Sequence, residues 1–159
     1  MHEVSLFQRM NEYEPAAWAL IPDLGLYMDQ VVTYIERQLE SLYGAASKGM
    51  LTPSMINNYV KSGLIPRPLG KKYYREHLAL LMMIVSLKPV ASMDDIAKLI
   101  TPGEGETLEQ LYASFCHVQT VVSQTLSIDP EASALQHAVT SAAYRLVAET
   151  LLSETDRAK

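Results

Sequence analysis

The ten residues Leu78–Leu87, LALLMMIVSL, carry a single polar side chain, Ser86. In a helix that many residues point in every direction, so the spacing predicts a helix over about Glu76–Lys88 that is apolar almost all round. Such a helix has no solvent side and must be covered by neighbours, which places it at the centre of a domain. The run is far short of the ~20 apolar residues that span a bilayer. A chain of 159 residues, nearly half of them apolar, is long enough to build that cover.

The other segments read as helices around it. In DLGLYMDQVVTYIERQLESLYG, Met28, Val31, Val32, Ile35, Leu39 and Leu42 form one stripe, closed by Gly44. Thr52 is a good N-cap with Pro53 at the first helical position and Gly63 as the stop. SMDDIAKLI opens with a Ser92–Asp95 capping box and is expected to bury Met93, Ile96, Ala97 and Ile100. TPGEGE is a linker. A further helix opens on a Thr107–Gln110 capping box and carries Leu108, Leu111, Phe115, Val118, Val122 and Leu126. The last helix takes Asp129 as cap and Pro130 in its first turn, with a seam of Leu135, Val139, Ala142 and Leu146. The short connection between these two predicts an antiparallel hairpin. The fold class is therefore all-α, with an N-terminal arm or helix at 1–22, a central domain at 23–102 and the C-terminal helical hairpin at 103–159.

Charge is unevenly distributed. Residues 1–40 hold two basic and seven acidic side chains, and residues 76–159 five and eleven. Between them, residues 41–75 hold Lys48, Lys61, Arg67, Lys71, Lys72 and Arg75 and no Asp or Glu at all. A local positive surface suits a polyanion, and the same block equally suits an internal patch paired with the protein's own acids. Within it, Ser54, Asn57, Asn58 and Lys61 share one face of the Thr52 helix at i, i+3, i+4 and i+7. In GLIPRPLGKKYY, the residues Pro66, Pro68 and Gly70 forbid helix and favour a tight ribbon. A short helix with a polar face followed by a basic ribbon is the arrangement of a winged helix-turn-helix. An Asn amide pairs bidentately with adenine, and cations on the loop neutralise phosphates that carboxylates would repel.

The run SMINNYVKSGLIPRP…KKYYREHLALLMMIVSLKPVASMDDIAKLI resembles the DNA-binding domain of the MerR superfamily. Tyr59, Gly63, Leu64, Ile65, Pro66, Tyr73, Leu78, Ile84, Ser92, Ile96 and Ile100 fall where that pattern wants them. PDLGLYMDQVVTYIE, LTPSMINNYVKSGLIPRP and KKYYREHLALL look like a bacterial family called domain of unknown function eighteen thirty-six, itself regarded as MerR-like. The resemblance covers about Pro22–Ile100. Where the superfamily has Arg-Tyr before the position of Tyr59, this chain has Asn57 and Asn58. The resemblance implies a MerR-like winged helix-turn-helix with a short basic wing.

The expected function is a DNA-binding transcriptional regulator, cytoplasmic and homodimeric, its double-stranded DNA read by helix 52–62 in the major groove. Wing 64–73 would lie on flanking phosphates. Ser54, Asn57, Asn58, Lys61, Arg67, Lys71, Lys72 and Arg75 are the candidate DNA-binding residues, and the C-terminal hairpin would pair subunits or sense a small-molecule effector. The alternative is a protein-interaction module that docks an acidic partner protein on the same patch. No enzyme is expected: Cys116 and His117, adjacent on a helix, point about 100° apart and lack an orienting acid. The lone cysteine excludes an intrachain disulfide, and four scattered histidines offer no zinc spacing, so neither a metal nor a cofactor is expected. Charged residues through positions 1–20 leave no signal-peptide core, and no membrane association is expected.

Overall fold

Leu78 to Val85 are all buried, the most continuous burial in the protein. They lie on α4, Arg75–Leu87, and most of the other buried side chains pack around it in one core. The computed structural model describes residues 5–125 and 131–158. In chain order the remaining helices are α1 (Leu6–Glu12), α2 (Met28–Tyr43), α3 (Pro53–Lys61), α5 (Met93–Leu99), α6 (Leu108–Thr125) and α7 (Ala134–Arg157). The described residues are thus mainly helical. Among them no helix is long and apolar enough to cross a membrane.

The core around α4 takes Val31, Ile35 and Leu39 from α2, Ile56 and Tyr59 from α3, Ile96 from α5 and Ile100 at its C-cap. It also takes Tyr112 from α6, so packing continues past the TPGEGE turn. Each fully buried aliphatic side chain contributes about 1.5–3 kcal/mol relative to an exposed one. The strap between α1 and α2 crosses this assembly: Tyr112 Oη donates to Ala16 O at 2.6 Å, and the Trp18 and Tyr112 rings lie 6.1 Å apart. Ile21 on the same strap is buried.

Helix ends follow local chemistry. Thr52 Oγ1 accepts from Met55 N at 3.2 Å with Pro53 opening α3, as the spacing predicts. Ser92 Oγ accepts from Asp95 N, while the Asp95 carboxylate lies 3.9 Å from Lys98 rather than returning to the cap. Thr107 and Gln110 form both arms of a capping box at 3.2 and 2.9 Å. Tyr74, a poor capping residue, is served by the neighbouring imidazole: its N–H donates to His77 Nδ1 at 3.0 Å.

Three expectations are corrected. Met93 is exposed and Ala97 only half-buried, because the buried face of this segment is carried by Ile96 and, just past the end of α5, Ile100. The buried face of α6 runs through Tyr112 and Ser123, with Phe115 and Cys116 packed against the core, and Val118 and Val122 face outward. The strap packs on that face, through Ala16 and Trp18 against Tyr112. The final helix starts at Ala134 with a Ser133–Gln136 capping box at 3.2 and 2.7 Å; Leu126, Asp129 and Pro130 lie outside the described residues. Its seam is not buried on α6. Leu135, Val139 and Leu146 stand exposed, and α7 meets the body at α5 through the Lys98–Asp156 ion pair.

Candidate nucleic-acid interface

The chain leaves α3 through Gly63. Leu64 N and Ile65 N both donate to Tyr59 O, at 2.9 and 3.3 Å, which turns the backbone sharply and buries Ile65. A ribbon follows. Leu69 and Lys72 exchange both backbone hydrogen bonds, at 3.0 and 3.1 Å, so Gly70 and Lys71 form a two-residue hairpin turn. Both have positive φ, 57° and 63°, as a turn of the primed type requires. Lys71 is the one non-glycine residue with positive φ among the described residues. The tip of the ribbon is therefore a lysine held in a conformation that L-residues disfavour.

A third segment completes the ribbon. Leu26 pairs with Tyr73 through N–H···O bonds of 2.9 and 2.8 Å, so the strap adds an edge to the hairpin. The close approach needs Gly25, since a Cβ there would fall 2.9 Å from Lys72 Cβ. The Lys72 stem lies over this glycine and its Nζ sits 5.4 Å from the centroid of the Tyr27 ring. Tyr73 is buried, and burial pushes its phenol pKa up.

Ser54, Asn57, Asn58 and Lys61 are all exposed on α3, and neither asparagine amide has a side-chain hydrogen bond to the described residues. Arg67 and Lys71 are exposed and Lys72 is half-buried. The ion pairs among the described residues are Arg75–Asp23, Lys98–Asp95, Lys98–Asp156 and Arg145–Glu149. Lys48, Lys61, Arg67, Lys71 and Lys72 thus have no ion pair with the described acids, whereas Arg75 of the same block is paired with Asp23.

Arg75, counted among the candidate DNA-binding residues, makes its contacts within the protein. Its Nε donates to Ile21 O at 3.0 Å, its Nη1 lies 4.0 Å from Asp23 Oδ2, and its Cζ lies 6.0 Å from the Trp18 ring centroid. The guanidinium is turned inward to tie the strap to the start of α4. Conversely, Lys88 reaches the opposite end of α3, its Nζ 3.7 Å from Met55 Sδ. Sequence reasoning missed it because the two residues are 33 positions apart and Lys88 reads as an ordinary helix end.

The Cys116 thiol packs beneath the strap, 3.9 Å from Ala16 O, and burial pushes its pKa up. That environment disfavours the thiolate a nucleophile needs. Among the described residues, no group of three or more His, Cys, Asp or Glu side chains is placed to hold a metal ion.

No curated protein and no solved structure matches this chain. A family model does, over residues 16–115, which runs from the strap through the first half of α6 and contains α3, the ribbon and α4. The chain belongs to the family described as Domain of unknown function (DUF1836).

Proposed function

We propose that this chain is a DNA-binding transcriptional regulator with a MerR-like winged helix-turn-helix spanning about residues 23–102. In this reading α2 and α3 are the helix pair and the ribbon 64–73 is the wing. α3 enters the major groove, where the Asn57 and Asn58 amides meet base edges and Ser54 and Lys61 flank them. Arg67, Lys71 and Lys72 bind flanking phosphates, with Lys48 and Lys88 adding positive charge near the start of α3. Arg75 acts indirectly, by fixing the strap that edges the ribbon. The protein works as a binding module rather than an enzyme.

One observation carries the reading: Lys48, Lys61, Arg67, Lys71 and Lys72 come from a segment without carboxylates and remain unpaired among the described residues. In an otherwise acidic protein, such a surface attracts a polyanion while the remaining faces repel it.

Selection from a pool of random duplexes tests it. Wild-type protein is expected to enrich a motif, and the Asn57→Ala, Asn58→Ala variant to lose the enrichment while still binding duplexes. Failure of the wild type to retain any duplex, with capture of an acidic protein instead, would assign the patch to protein docking.

A further inference from the structure

Leu69 is 67% exposed between two exposed cations of the ribbon, Arg67 and Lys71. It is the cross-strand partner of Lys72, so the two side chains stand on one face. Tyr73, the next residue, alternates to the other face and is buried, which makes the Leu69 face the outer one. Tyr27 shares that outer face: it is 51% exposed, and Lys72 Nζ sits over its ring. The ribbon thus presents a leucine and a tyrosine outward, with the lysine of its middle segment between them.

We infer that Leu69 is an apolar wedge that enters the minor groove beside the site read by α3 and opens one base step. The inference rests on the DNA reading of α3 and the ribbon, and adds to it a contact that carries sequence information. A leucine gains nothing from phosphates. An apolar protein surface is a poor match as well, because the unpaired Arg67, Lys71 and Lys72 would be desolvated against it. A duplex groove offers the complementary pattern, two anionic rails with stacked bases between them, about 6 Å apart in the minor groove. A ribbon beside a helix in the major groove meets the adjoining groove, and leucine is among the side chains that part base steps there.

The backbone holds the wedge in place. Leu69 N and O are both bonded to Lys72, and Arg67 O, two residues earlier, lies 3.2 Å from His77 Nε2. On the other side, Leu26 and Tyr73 exchange both of their hydrogen bonds. A side chain on so constrained a ribbon gives up little freedom on insertion. Opening a step is easiest at pyrimidine–purine steps such as TA, so Leu69 sets a preference for one at the position of the wing.

The test uses the full chain and the duplex it selects, carrying 2-aminopurine at the flanking step, where unstacking raises its fluorescence. Wild-type protein is expected to raise the signal. Leu69→Ala, altered only at an exposed side chain, is expected to bind without raising it and with an unchanged salt slope. Leu69→Met should restore the signal. Replacing the TA step by GC should weaken the wild type about 10-fold and leave Leu69→Ala unaffected. A bound wild type with the step still stacked, or a signal that persists in Leu69→Ala, would overturn the wedge while salt-dependent duplex binding stands. A wild type that retains no duplex at all would overturn the wedge and the DNA reading together.

Discussion

The imidazole of His77 joins the ribbon to the start of α4: its Nε2 lies 3.2 Å from Arg67 O while its Nδ1 accepts the Tyr74 N–H at 3.0 Å. Because Nδ1 accepts, the proton sits on Nε2 and is donated to Arg67. One buried ring thus caps α4 and anchors the first strand of the ribbon. The Tyr73 ring packs on it edge-on at 5.3 Å. His77→Ala leaves a buried N–H and a carbonyl without partners and is expected to destabilise the fold by about 1–3 kcal/mol. Hydrogen exchange checks it: the amides of Leu69, Lys72 and Tyr73 should lose protection before those of α4.

Lys71 separates stability from binding. Its φ of 63° is a conformation that costs an L-residue about 1–2 kcal/mol and glycine little. Lys71→Gly is therefore expected to raise the denaturant midpoint while weakening duplex binding. An unchanged midpoint would mean the turn relaxes in solution.

The paired tyrosines beneath the strap predict opposite effects. Tyr112 Oη has a carbonyl partner, so Tyr112→Phe should cost about 0.5–1.5 kcal/mol. Tyr13 is buried with its hydroxyl unpartnered among the described residues, so Tyr13→Phe should be neutral or stabilising. Burial, with smaller contributions from Tyr43 and Cys116, pushes the Tyr13 pKa up to about 12 from 10.0. A raised phenol pKa favours the folded state of the neutral form. That contribution is intact below pH 10 and is lost as pH rises towards 12. Alkaline unfolding followed by circular dichroism should be shallower between those values in Tyr13→Phe.

The central helix sets the scale of stability. Leu81→Ala removes a fully buried side chain from the middle of α4 and is expected to cost about 2–5 kcal/mol, read by urea unfolding.

These residues also show what was legible in the sequence. α4 could be read because an all-apolar helix has only one place to go, and α3 because Thr52, Pro53 and Gly63 act within one turn of the chain. The ribbon was legible from Pro66, Pro68 and Gly70. The buried face of α6 was not, since it depends on Ala16, 96 residues away from Tyr112. Val118 and Val122 fit a core stripe by spacing and instead face solvent, because periodicity reports which side is apolar and not what covers it. Arg75 counted as a cation like its neighbours; only folding brings Ile21 and Asp23 to its guanidinium.

The salt dependence of duplex affinity tests the central claim most directly. A surface that neutralises phosphates releases their counterions, so the logarithm of affinity should fall linearly with that of salt concentration, by about 0.9 per phosphate contacted. The Lys71→Ala, Lys72→Ala variant is expected to bind every duplex more weakly and to lose about two contacts from that slope. Identical slopes for wild type and variant, or affinity indifferent to salt, would contradict a cationic ribbon lying on the DNA backbone.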